Sequence, residues 1–298
     1  MRLGFFLFII FWNKFCLSIC EQHAPKSDFT NFITLKLRMK KTITALLLLV
    51  MIVPVVGQSS RPAFKPGEWL KFRIHYGILN ASYATLHLTS ENLDNIPVYH
   101  VVGRGKTTGF ASIFFKVDDT YESYFGRERG KPYKFIRKID EGGYTRDTEI
   151  EFDYDSDKAV LIDNKNGTEQ DFEIHDQIQD LISASYFLRS NYNHNEFQVG
   201  ESIDLDMLFD DDGVFKFQLK YLGKEILRTK FGKVECLKFR PLVQSGRVFK
   251  EKESLTLWVS NDWNKIPIRI KADLAVGSLK ADLDGYNGLK NQFKIIMD

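Results

Sequence analysis

The chain has 298 residues, of which 44% are hydrophobic and 27% charged, and its formal charge is +2. This is an ordinary globular composition, long enough to bury a full core. The near-neutral balance and the lack of a basic run exclude sequence-independent nucleic-acid binding, which needs Lys and Arg clustered against phosphates.

The first 57 residues do not read as part of a globule. Met39-Lys40-Lys41 forms a basic n-region, residues 43–53 an apolar h-region, and Val55-Val56-Gly57 a cleavage site before Gln58. That is the plan of a secretory signal, and it is short for a membrane span. Upstream lie an apolar stretch at residues 5–12 and an unpatterned tail at 21–38, so residues 1–38 are expected to be a spurious extension, with Met39 as the initiator. The rival reading makes Leu17-Ser-Ile-Cys20 a lipidation box with Cys20 as the anchor, but Ile19 is larger than such boxes want.

Residues 1–57 hold seven of the 41 basic and two of the 39 acidic groups, so residues 58–298 carry 34 against 37, a formal −3. Cys16 and Cys20 fall in the removed piece. Cys236 alone remains, and it cannot form an intramolecular disulfide. Its alternating setting reads as a half-buried structural thiol on a strand.

From Phe64 onward the period is two. Trp69-Leu-Lys-Phe-Arg-Ile-His-Tyr76 and Val214-Phe-Lys-Phe-Gln-Leu-Lys-Tyr221 alternate apolar with polar, and Leu255-Thr-Leu-Trp-Val259 and Ile266-Pro-Ile-Arg-Ile270 continue the theme. Such runs, rich in aromatic and β-branched residues, predict antiparallel strands with one solvated face. Glu141-Gly-Gly-Tyr144 and Phe209-Asp-Asp-Asp-Gly-Val214 predict hairpin turns. One helix is predicted over 176–189, with Asp176 as N-cap, Gln179 at the third helical position, and Ile178, Leu181, Ile182 and Ser185 at helical spacing.

An internal repeat organises the rest. Phe64-x-Pro-Gly-Glu68-x-Leu70-x-Phe72 is echoed by Phe197-x-Val-Gly-Glu201-x-Ile203-x-Leu205, and Ser123-Tyr-Phe125 by Thr256-Leu-Trp258. Pro132 and Gly142 find counterparts in Pro267 and Gly277. Residues 64–152 and 197–285 are therefore expected to be related meander halves of a single mainly β domain spanning 58–298. Two curved meanders that bury their apolar faces on each other predict a rolled antiparallel sheet or partly open barrel with one inserted helix.

Pro66-Gly67-Glu68, the run Gln179-Asp180-x-x-Ser183-Ala184-x-Tyr186-x-x-Arg189, and Trp258-Val-Ser-x-Asp262 followed by Pro267 resemble the domain of unknown function 3108 family. The resemblance runs from about Phe64 to Tyr286. It implies an exported, mainly β bacterial protein and carries no reaction, ligand or catalytic residue.

No catalytic or metal-ligand constellation stands out. Gly103-Arg-Gly-Lys-Thr-Thr-Gly109 contains Gly-Lys-Thr, but His100 stands where a phosphate loop needs glycine, and an apolar run follows it. Asp210-Asp-Asp-Gly213 lacks the ligand alternation of a calcium loop and reads as a solvated hairpin tip. His75, His87, His100, His175 and His194 show no metal spacing. Ser183 and Ser185 lack a nucleophile elbow. Acid pairs such as Asp118-Asp119 exist, but a glycosidase needs two carboxyls at a separation that sequence does not define. Asn80-Ala-Ser82 and Asn166-Gly-Thr168 fit turns better than glycan sites.

The oddity is Gly109-Phe-Ala-Ser-Ile-Phe-Phe115, which keeps neither period. Phe110, Phe114 and Phe115 are either a core plug or the apolar lip of a cavity. The expectation is a periplasmic or cell-envelope protein that needs no cofactor or metal and is not an integral membrane protein once the signal is removed. Its expected role is non-enzymatic binding of an apolar ligand or an envelope component. A carboxylate-based hydrolase of envelope glycans and a structural assembly factor are the alternatives.

Overall fold

The computed structural model describes residues 63–109, 116–192, 197–244 and 255–297. The first half is β1 (Trp69–Tyr76), β2 (Leu79–Leu93), β3 (Ile96–Thr107), β4 (Asp118–Gly126), β5 (Pro132–Glu141), β6 (Tyr144–Asp153), β7 (Lys158–Asp163) and β8 (Thr168–Glu173). Among the described residues one helix, α1 (Ser183–Asn191), follows. The second half is β9 (Ser202–Met207), β10 (Phe215–Thr229), β11 (Gly232–Gln244), β12 (Leu255–Ser260), β13 (Pro267–Asp273) and β14 (Ser278–Asn287).

All fourteen strands form one antiparallel sheet, ordered β8-β7-β6-β5-β4-β3-β2-β1-β14-β13-β12-β11-β10-β9. The chain starts at the centre of the sheet and meanders out to β8. It crosses through α1 to the opposite edge and meanders back until β14 pairs with β1. One apolar cluster joins Phe135, Ile150 and Leu161 of β5–β7 to Leu205, Leu219 and Phe239 of β9–β11, with Tyr186 of α1 between them. Strands from both edges share a core, so the sheet must curl. It is not fully closed into a barrel: β8 and β9 do not pair, and the gap is bridged by Gln179, whose backbone forms an isolated parallel bridge with Met207.

Alternation decides the inner face. In β1, Leu70, Phe72 and Ile74 are buried, and Trp69, Lys71 and Arg73 are not. β12 departs from this pattern. Trp258 packs with Cys236 and Ile268 under Leu289 and Phe293 of the C-terminal tail, while Leu257 and Val259 face the interior. A strand covered on both faces needs a continuous apolar run, and that explains Leu255-Thr-Leu-Trp-Val259. The Cys236 thiol is fully buried, which pushes its pKa up to about 12.

The two halves enter their first strands through the same turn. Gly67 (φ 90°) donates its N–H to Leu88 O at 2.8 Å, and Gly200 (φ 98°) donates to Tyr221 O at 2.9 Å. Leu88 N–H returns to Glu68 O at 2.9 Å, and Tyr221 N–H to Glu201 O at 2.8 Å. A side chain would strain both turns at that φ, and glycine does not. Pro132 and Pro267 each open a strand beside a register shift in its partner, and Gly142 and Gly277 each lie in the hairpin turn that follows.

The helix begins later than the predicted 176–189. Gln179 N–H bonds Asp206 O and its carbonyl accepts Leu208 N–H, so the backbone there is extended against β9 and cannot wind. Asp176 pairs with Lys131 instead of capping. The reciprocal box is one turn on: Asp180 Oδ1 accepts Ile182 and Ser183 N–H at 2.7 and 2.8 Å, and Ser183 Oγ accepts Asp180 N–H at 2.9 Å.

Candidate functional site

The helix is fixed inside the rolled sheet by polar contacts at both ends. At its start the Asp180 carboxylate also accepts the Ser123 hydroxyl of β4, at 2.6 Å. Burial pushes the Asp180 pKa up to about 6, against the pull of these donors.

At the far end Arg189 reaches Glu68. Its two terminal nitrogens donate to the two carboxylate oxygens at 2.7 Å each, and Nε donates to Asn264 O at 2.9 Å. Both side chains are within 4% of full burial. The Phe64 and Tyr186 rings lie 5.3 and 5.0 Å from the guanidinium. The planar fork satisfies both charges at once, as a pair removed from water requires.

The β12–β13 turn completes the anchor. Asp262 Oδ1 accepts the Ser260 hydroxyl and the N–H groups of Asn264 and Lys265. Lys265 sits at φ 48°, uncommon for a residue with a side chain, and its ammonium donates to Arg189 O in the last turn of α1 at 2.7 Å. The same turn holds the tail, through paired bonds between Asn264 and Asn291.

Between these anchors the helix leaves space on two sides. The first cavity, about 110 Å³, lies between Leu188 of α1 and Phe217, Phe239, Leu257 and Val259 of the second half. The second, about 80 Å³, lies against Phe72, Ile74, Ala84 and Leu279. Leu181, Ser185, Pro267 and Ile270 line both. The walls are almost wholly carbon. The cationic groups that line the first cavity are Arg189 and Lys265.

A second buried polar group lies on β4, β5 and the β9–β10 turn. Asp119, Arg137 and Glu141 are at most 1% exposed, and Asp210 is at 2%. Asp210 is therefore not part of a solvated tip: its carboxylate turns inward to 3.9 Å from Arg137. Burial raises both Asp119 and Asp210 to about 6. Asp119 Oδ1 accepts the Asp140 N–H at 3.1 Å. Asp210, Asp211 and Asp212 place carboxylate oxygens within 4.8 Å of one another. Neighbouring acids in one turn do this without an ion.

Among the described residues, three histidines each bond their own acids, and His194 lies outside those residues. His75 bonds Asp282 at 3.0 Å, His100 bridges Glu91 and Glu122 at 2.8 Å each, and His175 bonds Asp206 at 2.8 Å. Gly103, Arg104, Gly105, Lys106 and Thr107 lie in β3, in strand conformation. Phe110, Phe114 and Phe115 lie outside the described residues.

The residues that carry the family resemblance are the ones that hold the helix: Glu68, Asp180, Ser183, Tyr186, Arg189, Ser260 and Asp262 meet at its two ends. Residues 71–284 match the family model described as protein of unknown function (DUF3108). The chain belongs to this family. Among solved structures, this DUF3108 protein is similar to the beta-barrel-like protein of domain of unknown function DUF1849 from Brucella abortus. Identity is 10% over 75% of this chain and 98% of the other, with a TM-score of 0.50, a likeness of fold alone. It also matches a putative lipoprotein from Parabacteroides distasonis at 11% identity, over 77% of this chain and 100% of that one, with a TM-score of 0.29. No curated protein matches. Among the described residues, no helix is long and apolar enough to cross a membrane.

The Glu68–Arg189 pair was not read from the sequence, yet both residues carry a signal. Glu68 occupies the phase of Leu70, Phe72 and Ile74, and Arg189 the helical face of Ile182 and Tyr186. Opposite charges on the apolar faces of two elements call for each other.

Proposed function

We propose that this protein is exported to the cell envelope and there binds an apolar ligand, without catalysis, in the interior of its rolled sheet. The observation that carries the reading is the pair of carbon-lined spaces flanking α1, which share Leu181, Ser185, Pro267 and Ile270. A fold that sought only stability would fill such space, because interiors pack to crystal-like density and each void forfeits contacts. Here the polar residues of the family motifs hold the helix at its ends and leave its middle beside open apolar volume. Ligand sites have this character: mostly hydrophobic walls and few polar groups.

The export part rests on the signal pattern of residues 39–57. The hydrolase alternative has less support. Asp119 and Glu141 are both buried, so neither is open to a polysaccharide. Glycosidase carboxyls need room for water or sugar between them.

The test is native mass spectrometry of protein purified from an envelope fraction without detergent, followed by delipidation. An apolar species that leaves on delipidation supports the reading. A mass equal to the bare chain throughout, together with no uptake of added apolar probes, removes it.

A further inference from the structure

The first cavity is apolar except at one end, where the side chain of Lys265 enters its wall. Lys265 is 9% exposed, and among the described residues its ammonium makes one side-chain hydrogen bond, to Arg189 O, and no ion pair. An ammonium has three donors. Anchoring the last turn of α1 uses one of them. The neighbouring guanidinium does not compete for an incoming anion, because Glu68 already takes both of its terminal nitrogens. Asp262 faces the backbone of Lys265, and its oxygens bond backbone N–H groups and the Ser260 hydroxyl. Burial first, and then the Arg189 charge, lower the Lys265 pKa to about 8 against the opposing pull of the Asp262 carboxylate, so the group stays mainly protonated at neutral pH without a direct ion pair.

At the junction of the two cavities stands Ser185, which lines both. The interior therefore offers a cation at one end, a hydroxyl midway and carbon elsewhere.

We infer that the ligand is an anionic amphiphile, with its carboxylate on the Lys265 ammonium and its alkyl chain running past Ser185 into the second cavity. This rests on the reading of the interior as an apolar-ligand site and adds the headgroup charge and the residue that selects it. A charge-assisted bond in a dry cavity is worth more than the same bond in water, so the headgroup contact gives selectivity as well as affinity. A neutral chain of equal length would fill the same walls and leave the ammonium unpaired.

Three probes of equal chain length test this on the parent protein: dodecanoate, 1-dodecanol and dodecyltrimethylammonium, titrated by calorimetry below their micellar concentrations. The expected order is dodecanoate tightest, dodecanol about tenfold or more weaker, and the cation weaker still. Lys265→Met should abolish the preference for dodecanoate over dodecanol, and Lys265→Arg should keep it. Equal affinity of the parent for acid and alcohol overturns the inference and leaves the apolar-ligand reading standing. A preference that survives Lys265→Met overturns it equally. Failure of the parent to bind any of the three removes the underlying reading as well. The parent's order of preference decides even if Lys265→Met does not fold.

Discussion

Arg189 and Glu68 lie 121 residues apart and meet through two 2.7 Å hydrogen bonds in the interior. Glu201, at the matching place in the second entry turn, stays exposed and caps its own turn by accepting Gln198 N–H at 3.0 Å. The same entry turn is thus used twice, and only the first copy turns its acid inward to hold the helix. Removing one partner of a buried pair strands the other charge. Glu68→Gln and Arg189→Met should each cost about 3–5 kcal/mol in urea unfolding, and the double variant less than their sum. Additive losses would show that the two side chains act independently.

The other end of α1 depends on Asp180. Asp180→Ala removes the acceptor for the Ser123 hydroxyl and for two backbone N–H groups. A loss of roughly 2–4 kcal/mol is expected, because a cap is lost and buried donors are left unmade. Ser123→Ala removes only one donor and should cost less. Equal losses would mean that the backbone N–H bonds contribute nothing.

The strands at 69–76, 215–221, 255–259 and 267–270, and the mainly β class with them, are legible in the alternation of the sequence. The start of the helix is not, because Gln179 carries no mark that β9 will hold it extended. Nor is the inward turn of Asp210: its run of three acids matches a solvated tip, and only Arg137, distant in sequence, draws it in. The double burial of Trp258 depends on a tail that arrives last in the chain. Lys265 was invisible as a cavity group, because a turn has no period for it to break.

Acid should favour the parent through Asp119. Its folded pKa is about 6, against 3.8 for the free group, so the folded protein binds the extra proton between those values. The contribution is therefore full below about pH 4 and is lost as pH rises through about 6. Carboxyls held low, such as Glu91 and Asp282, act in the opposite sense but are common to parent and variant. In melts from pH 4 to 7, the stability of the parent relative to Asp119→Asn should be greatest near pH 4 and decline to a plateau above about pH 6.5. A relative stability that rises over this range contradicts the assignment.

Processing is open to direct reading. Protein recovered from the envelope fraction should begin at Gln58 or within a few residues of it, because Gly57 follows the apolar h-region. Peptides from residues 21–38 in that material would end the signal reading and return attention to Cys20.

Filling the junction of the two cavities tests whether the apolar space around α1 is a binding site. Ser185 lines both cavities, so Ser185→Phe puts a ring where the two spaces meet. The measurement is a fluorescence titration with the neutral apolar probe N-phenyl-1-naphthylamine, alongside a thermal melt. The parent should bind saturably, and Ser185→Phe should bind at least about tenfold more weakly with its melting temperature unchanged or raised. No saturable uptake by the parent, or undiminished uptake by a folded Ser185→Phe, would contradict the account.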